Sequence, residues 1–165
     1  DSYFELNGLV ESVLANARFE AKAGGISVEG DLGAGGQRAD RVVRGDFELM
    51  RRALENVVRN AVKVSATGQT VRVAVVEGSS PDQVRLIVSD EGPGVPPDCI
   101  GAMFEPFVRL DPAGKGGGYG LGLAIARRAV TALGGMIEAR NRPRQGLEVT
   151  ITLPLYRGPI APGED

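Results

Sequence analysis

The chain has 165 residues, an apolar fraction of 42% and a formal net charge of −2, with 19 Lys and Arg against 21 Asp and Glu. This size predicts one domain with a core of its own, and the balanced charge disfavours a protein that binds the backbone of a nucleic acid. The sequence has no histidine and one cysteine, which excludes Ser–His catalysis, histidine-ligated zinc and an internal disulfide.

Apolar periodicity and turn residues predict an alternation of helices and strands. In chain order these are a strand at residues 3–6, a helix at 7–22, strands at 26–29 and 41–44, a helix at 47–65, strands at 71–77 and 84–90, a short helix at 98–103, a helix at 119–133, and strands at 136–139 and 147–153. Asn7 and Asp46 are expected to cap the first two long helices. No stretch approaches the roughly 20 apolar residues of a membrane span, and no signal peptide is expected at the start of the sequence.

Several neighbouring strands are joined by short turns, which disfavours a purely parallel, doubly wound sheet. The pattern predicts a two-layer α/β (α+β) sandwich, in which a mixed sheet carries about three helices on one face. Residues 1–156 are expected to form this domain, and residues 157–165 a C-terminal tail. The long irregular stretch at residues 91–118 stands out, because segments of this kind inside a compact domain are usually functional.

The second predicted helix carries polar side chains on one face. At about 100° per residue, Asn56, Asn60 and Lys63 fall within an arc of roughly 60°. A carboxamide oxygen is a hard ligand suited to Mg²⁺, and a lysine ammonium suits phosphate oxygens. On these residues alone, an ordinary polar helix edge remains the alternative.

A second candidate site follows the strand at residues 84–90. Asp90 can accept a hydrogen bond from an exocyclic amine such as that of adenine, and Gly92 and Gly94 allow the backbone to approach a planar ring closely. A plain strand-ending turn is the alternative, since Asp, Gly and Pro are common in turns.

A glycine-rich segment, residues 114–122, leads directly into the third long helix. Backbone N–H groups at such a helix N-terminus form a cradle for anions. Neither G-x-G-x-x-G nor the Walker pattern is present, so a phosphate loop of another type is predicted, with a plain linker as the alternative. Arg109 and Lys115 lie in the long stretch at residues 91–118 and could reach phosphates, with the ordinary charges of a solvated loop as the alternative. Phe104 and Phe107 could anchor this stretch as hydrophobic residues.

The order and spacing of these features resemble the catalytic domain of sensor histidine kinases, within the Bergerat-type (GHKL) ATPase superfamily. The resemblance covers residues 4–155 and extends to the envelope-stress, Cpx-like group of these kinases. It implies the Bergerat ATP-binding fold. The four boxes of the family match at Asn56, Asn60 and Lys63 (asparagine box), at Asp90, Gly92 and Gly94 (first glycine box), at residues 104–107 (phenylalanine box) and at residues 118–123 (second glycine box).

The resemblance implies ATP and Mg²⁺ as cofactors. Asn60 would ligate Mg²⁺, and Asn56 and Lys63 would contact the phosphates. Asp90 would bind the adenine amine, with help from Thr150 through a water. The other residues that the resemblance places around the nucleotide are Gly92, Gly94, Phe107, Arg109, Lys115, Gly118, Tyr119, Gly120, Leu121, Gly122 and Leu123. The expected catalytic set is Asn56, Asn60, Lys63 and Arg109.

Two positions depart from the family pattern. Val64 stands where an aromatic residue or histidine often stacks on adenine, and Tyr119 stands where threonine or serine is frequent. The first departure predicts weaker nucleotide binding, and the second leaves the geometry of the phosphate lid open.

The residue one helical turn before Asn60 separates the subfamilies. Superfamily members that hydrolyse ATP for mechanical work carry a glutamate base there, whereas this chain has Asn56, which cannot take a proton from water. Glu55 points about 100° away on the helix and is discounted as the base. The resemblance therefore implies an ATP:protein-histidine phosphotransferase whose acceptor histidine lies outside this chain. A nucleotide-sensing regulatory module and a GHKL-type ATPase or serine kinase are the alternatives.

The partners implied by the resemblance are a histidine-bearing dimerisation domain of the same parent protein and a downstream response regulator, with no nucleic acid. The parent would be a membrane-bound homodimer of the bacterial inner membrane. This chain would be its cytoplasmic domain, monomeric in isolation.

Overall fold

The computed structural model describes residues 2–33, 41–106 and 122–159. Each predicted element is present, with small shifts at the ends. The short helix predicted at residues 98–103 is a 3-10 helix, and residues 119–121 of the predicted third long helix lie outside the described part. In chain order the elements are β1 (Tyr3–Glu5), α1 (Leu6–Lys22), β2 (Ser27–Asp31), β3 (Val42–Arg44), α2 (Phe47–Lys63), β4 (Thr70–Glu77), β5 (Gln83–Ser89), the 3-10 helix (Pro97–Phe104), α3 (Gly122–Ala132), β6 (Met136–Asn141) and β7 (Leu147–Pro154).

The central sheet is mixed, as the sequence predicts. Its strand order is β2-β4-β5-β7-β6, in which β2 runs parallel to β4 and the other neighbouring pairs are antiparallel. β1 and β3, which the sequence analysis did not separate from this sheet, form an antiparallel pair of their own.

The small β1–β3 sheet is tied to the segment that follows β7. The N–H of Tyr156 donates to the carbonyl oxygen of Val42 at 2.7 Å, and the N–H of Gly45 donates to that of Ser2 at 2.8 Å. The rings of Tyr3 and Tyr156 contact each other with their centroids 4.5 Å apart. The beginning of β1 and the segment after β7 therefore meet at one place.

One face of the central sheet is buried beneath the helices. α1, α2 and α3 pack against this sheet and share its apolar core. The alternating residues between the buried ones are half-buried or exposed, which gives the predicted two-layer sandwich. Burial of each large apolar side chain contributes about 1.5–3 kcal/mol. The buried residues of the three middle strands are Val71, Val73 and Val75 on β4, Val84, Leu86 and Val88 on β5, and Leu147, Val149, Ile151 and Leu153 on β7.

The start of α1 differs from the prediction. The helix begins at Leu6, because Glu5 is the N-cap and its Oε1 accepts a hydrogen bond from the N–H of Gly8 at 3.2 Å. Asn7, the predicted cap, is 1% exposed inside the first turn. Its Oδ1 accepts a hydrogen bond there from Nη1 of Arg41 at 3.4 Å, so its side chain joins α1 to the residue that precedes β3.

The start of α2 confirms the prediction. Oδ1 of Asp46 accepts hydrogen bonds from the N–H groups of Glu48 at 2.9 Å and Leu49 at 3.3 Å. Within the described ranges, no helix has the length and apolar composition needed to cross a membrane. The buried side of α2 consists of Met50, Ala53, Leu54, Val57, Val58 and Ala61.

Candidate functional site

Asn56, Asn60 and Lys63 lie along one flank of α2, as their spacing predicts. The two asparagines are half-buried and the lysine is exposed. Nδ2 of Asn60 donates to the carbonyl oxygen of Asn56 at 3.0 Å. This bond fixes the orientation of the carboxamide and leaves its Oδ1 without a partner among the described residues, so this oxygen is available to a cation.

Glu55 is committed to an ion-pair network on the neighbouring side of α2. Its Oε2 accepts a hydrogen bond from Nη1 of Arg51 at 2.6 Å, and its Oε1 accepts one from Nη2 of Arg59 at 3.3 Å. Both carboxylate oxygens are thus bound to guanidinium groups. This arrangement agrees with discounting Glu55 as a base for the chemistry on the polar flank.

Asp90 follows β5 directly and is only 2% exposed. Its Oδ1 accepts hydrogen bonds from the N–H groups of Gly92 at 2.9 Å and Leu147 at 3.1 Å. Its own N–H donates to the carbonyl oxygen of Leu147 at 3.0 Å. A buried carboxylate requires such partners, and here they hold it at the junction of β5 and β7.

The loop after Asp90 packs on the end of α2. A Cβ at Gly92 would lie 2.8 Å from the carbonyl oxygen of Val64 and 3.0 Å from its side chain, so this close approach requires glycine. Val64 is the C-cap of α2 and follows Lys63 directly. The asparagine box and the first glycine box therefore meet at this contact.

Side chains at the end of β6 and in the turn that follows form hydrogen bonds with the same loop, and they were not predicted from the sequence. No local pattern marks them, because their partners lie about 50 residues away in the sequence. The one signal in the sequence was the glycine at position 146. Its φ is +98°, and a Cβ there would collide with the carbonyl oxygen of Asp90, so the position requires glycine. The side chains are Asn141, Arg142 and Gln145, which bond Val95, Asp90 and Glu91 respectively.

The segment between the two glycine boxes is described only at its ends. Phe104, at the end of the 3-10 helix, is half-buried against the core beside the fully buried Met103. At the other end, Gly122 is the first residue of α3, and Leu123 is 1% exposed in the core. The expected site residues Phe107, Arg109, Lys115, Gly118, Tyr119, Gly120 and Leu121 lie outside the described residues.

Thr150 is not brought to Asp90. It lies on β7 between Val149 and Ile151, which are 5% and 0% exposed beneath the helices. Since neighbouring residues of a strand point to opposite faces, Thr150 points to the uncovered face of the sheet. The expectation that Thr150 assists Asp90 is corrected accordingly, and Leu147 is the β7 residue that bonds the aspartate.

The fold, the polar flank of α2 and the buried Asp90 are those of a Bergerat-type nucleotide-binding domain. Residues 45–157 match the family model described as "Histidine kinase-, DNA gyrase B-, and HSP90-like ATPase". The chain belongs to this ATPase family, and ATP is the nucleotide that the family implies.

The chain is similar to known sensor kinases. It is 39% identical to the sensor histidine kinase CpxA of Escherichia coli (strain K12) over 153 residues, which cover 92% of this chain and 32% of CpxA. It is also 39% identical to the sensor protein CutS of Streptomyces coelicolor over 141 residues, which cover 82% of this chain and 32% of CutS. The chain thus spans about a third of the length of these curated relatives.

Two solved structures share the fold. The mycobacterial sensor histidine kinase MprB matches with a TM-score of 0.82 and 29% identity, over 93% of this chain and 98% of that one. Full-length ShkA in complex with AMPPNP matches with a TM-score of 0.78 and 29% identity, over 95% of this chain and 31% of that one. The predicted likeness to sensor histidine kinases, to the Cpx-like group and to the Bergerat fold is confirmed.

Proposed function

We propose that this chain is the catalytic domain of a sensor histidine kinase, which binds Mg-ATP and transfers the γ-phosphate to a histidine of a separate dimerisation domain. The observation that carries the proposal is the contact of Gly92 with Val64, which joins the loop after Asp90 to the polar flank of α2. A nucleotide seated across this contact would reach Asp90 with its adenine, and Asn56 and Asn60 with its phosphates.

The residues present fit a magnesium ion held together with ATP. Asn60 offers a carboxamide oxygen, because its amide group is already committed to the backbone. Among the described residues there is no group of three or more Cys, Asp or Glu side chains that could hold a metal by itself. Mg²⁺ keeps several waters and is commonly bound by few protein oxygens together with substrate phosphates. One carboxamide oxygen is therefore a sufficient protein ligand for the ion. When bound, the ion neutralises charge on the phosphates, to which Lys63 adds a further positive charge.

The described residues favour transfer of the phosphate over its hydrolysis. Asn56 stands one helical turn before Asn60 and cannot accept a proton from water, and Glu55 is paired with two arginines. The chain has no histidine, so the acceptor comes from outside it. In the proposed step, an imidazole nitrogen of the acceptor attacks the γ-phosphorus, the bond from that phosphorus to the bridging oxygen breaks, and ADP leaves. Positioning and charge neutralisation supply most of what such a transfer needs.

For the residues between the 3-10 helix and α3, the proposal rests on the family resemblance. Arg109 and Lys115 would contact the phosphates, with Phe107 anchoring the near end of the segment. The second glycine box would close over the nucleotide through the residues Gly118, Tyr119, Gly120, Leu121 and Gly122.

The proposed partners and cellular location are based on the similarity to relatives that are named as sensor proteins. The partners would be a histidine-bearing dimerisation domain of the same protein and a response regulator. The parent would be a membrane-bound homodimer of the bacterial inner membrane, with this chain on its cytoplasmic side. Residues 1–156 would form the catalytic domain, followed by the tail at residues 157–165.

A transfer assay tests the proposal. The chain is mixed with γ-labelled ATP and Mg²⁺, alone and with the histidine-bearing dimerisation domain of its parent supplied in trans. We expect label on the added domain, no label on the chain alone, and slow release of ADP without the acceptor. The matched variant Asn60→Ala should abolish labelling. Rapid ATP turnover by the chain alone, abolished by Asn60→Ala, would identify an ATPase, and nucleotide binding without transfer would identify a regulatory module.

A further inference from the structure

The end of β6 and the β6–β7 turn form a second support for the loop at residues 90–95, besides its contact with α2. We propose that Asn141 is a positioning residue, which holds this loop in the shape that binds adenine. The inference rests on the proposed function, since it concerns the same nucleotide site. Asn141 acts through the backbone of Val95, whereas Asp90 would bind the adenine itself. Amide exchange of Val95 therefore distinguishes the role of Asn141 from that of Asp90.

Asn141 satisfies both backbone polar groups of one residue. Its Nδ2 donates to the carbonyl oxygen of Val95 at 2.6 Å, and its Oδ1 accepts from the N–H of Val95 at 2.9 Å. The Val95 residue is 5% exposed, so its peptide groups have little access to water. A buried backbone N–H or carbonyl group without a hydrogen-bond partner is unfavourable. Removal of the Asn141 carboxamide should therefore shift the loop.

The same carboxamide lies against Gly94, a residue of the first glycine box. Gly94 has a φ of +76°, a conformation that residues with a side chain rarely adopt. A Cβ at Gly94 would lie 2.7 Å from Oδ1 of Asn141. The Asn141 carboxamide thus leaves no room for a side chain at Gly94, next to the residue that it bonds.

The other end of the loop is held by the same turn. Nη1 of Arg142 donates to the carbonyl oxygen of Asp90 at 2.7 Å, and Nε2 of Gln145 donates to that of Glu91 at 2.6 Å. Gly92, between the two held ends, contacts Val64 of α2. The loop is therefore held by two parts of the fold, and Asn141 holds the part that follows Gly92.

The test compares Asn141→Ala and Asn141→Asp with a control in the same turn. Arg144→Ala is the control, because Arg144 is exposed and makes no hydrogen bond or ion pair among the described residues. Affinity for Mg-ADP is measured by titration calorimetry well below the unfolding temperature, and amide hydrogen exchange of Val95 is measured without nucleotide. We expect Asn141→Ala to weaken Mg-ADP binding roughly tenfold, the loss typical of an unsatisfied buried peptide group. Asn141→Asp keeps the acceptor for the N–H of Val95 but sets a carboxylate oxygen against the carbonyl oxygen of Val95, so it should weaken Mg-ADP binding at least as much as Asn141→Ala.

A purely structural role predicts a different result. In that case Asn141→Ala would lower the unfolding temperature and speed the exchange of Val95, yet bind Mg-ADP like the unchanged chain while folded, and the positioning role would be overturned. Equal loss of affinity in Arg144→Ala would overturn it as well. If the unchanged chain does not bind Mg-ADP at all, the proposed function fails and the positioning role fails with it. Loss of affinity confined to the Asn141 variants, with faster exchange at Val95, supports it.

Discussion

Gly92 lies against the carbonyl oxygen of Val64, so closely that a Cβ on the glycine would be 2.8 Å from that oxygen. Through this contact the end of α2 is fixed relative to the loop that follows β5. Asn60 stands one turn before Val64 on the helix, and Asp90 stands two residues before Gly92 on the loop. This contact therefore helps to set the distance between the phosphate end and the adenine end of the proposed site.

Gly92→Ala should disturb this contact. Because the added Cβ meets a backbone oxygen that cannot rotate away, the loop or the helix end must move, at a cost of about 1–3 kcal/mol in unfolding free energy. Mg-ADP affinity should fall with it, as measured by titration calorimetry on the folded variant. Gly101→Ala is the matched control, since a Cβ at Gly101 meets nothing within 4 Å. Equal losses in the two variants would show that the contact has no special importance.

Asp90→Asn should weaken ADP binding by about 1–3 kcal/mol, because a charged acceptor for the adenine amine is replaced by a neutral group. The variant keeps a side-chain oxygen for the N–H groups of Gly92 and Leu147, so it should remain folded. Calorimetric titration with ADP measures the affinity, and Asp82→Asn in the exposed β4–β5 turn serves as the control. Unchanged affinity in a folded Asp90→Asn chain would reduce Asp90 to a turn residue.

Asn60→Ala should remove the magnesium-dependent part of ATP binding. Its carboxamide oxygen is the atom that the geometry offers to the ion, and a polar contact to a charged group contributes about 1.5–3 kcal/mol. Titrations of a non-hydrolysable ATP analogue with Mg²⁺ and with a chelator separate the two parts of the affinity. Binding in the presence of the chelator should be the same for Asn60→Ala and the unchanged chain. A loss of equal size under both conditions would argue against metal ligation.

Glu48→Gln should lower stability at neutral pH and leave it unchanged in strong acid. Glu48 pairs with Arg51 on the exposed start of α2, with Oε2 and Nη2 2.9 Å apart. The hydrogen bond and charge of Arg51 hold the pKa of Glu48 below its ordinary value. Because the folded-state pKa is the lower one, the stabilisation is fully present above the unfolded-state pKa of about 4.3 and is lost as the pH falls through the folded-state pKa.

Urea unfolding of the unchanged chain and of Glu48→Gln, at neutral pH and in strong acid, measures this difference. Glu138→Gln is the control, since Glu138 is exposed on β6 and has no ion pair among the described residues. Added salt should reduce the difference at neutral pH, because the pair is exposed to solvent. A difference that persists in strong acid would exclude the ion pair as its source.

Features with local causes could be predicted from the sequence. Asp46 caps α2 because its carboxylate reaches N–H groups only two and three residues ahead. Asn56, Asn60 and Lys63 share a flank because helical geometry alone puts them there. Asp90 could be singled out because it ends an apolar strand and precedes glycines.

Features that depend on distant partners could not be predicted in this way. Asn7 has the chemistry of a cap, but packing against Arg41 draws it into the helix and leaves Glu5 as the cap. The resemblance placed Thr150 near the adenine, whereas the face that it occupies follows from the register of β7 in the sheet. Asn141 was missed because its partner is Val95, on a loop that only the folded sheet brings close.

The contact between Tyr3 and Tyr156 lies at the far end of the domain from the nucleotide site. β7 runs from Leu147 at the site to Pro154 beside the tyrosines, a span of about 25 Å, and α2 covers a similar length on its way to Lys63. β7 and α2 therefore each connect this end of the domain with residues of the proposed nucleotide site. Substitutions at Tyr3 or Tyr156 would lie about 25 Å from the proposed phosphate site and could not alter it by direct contact.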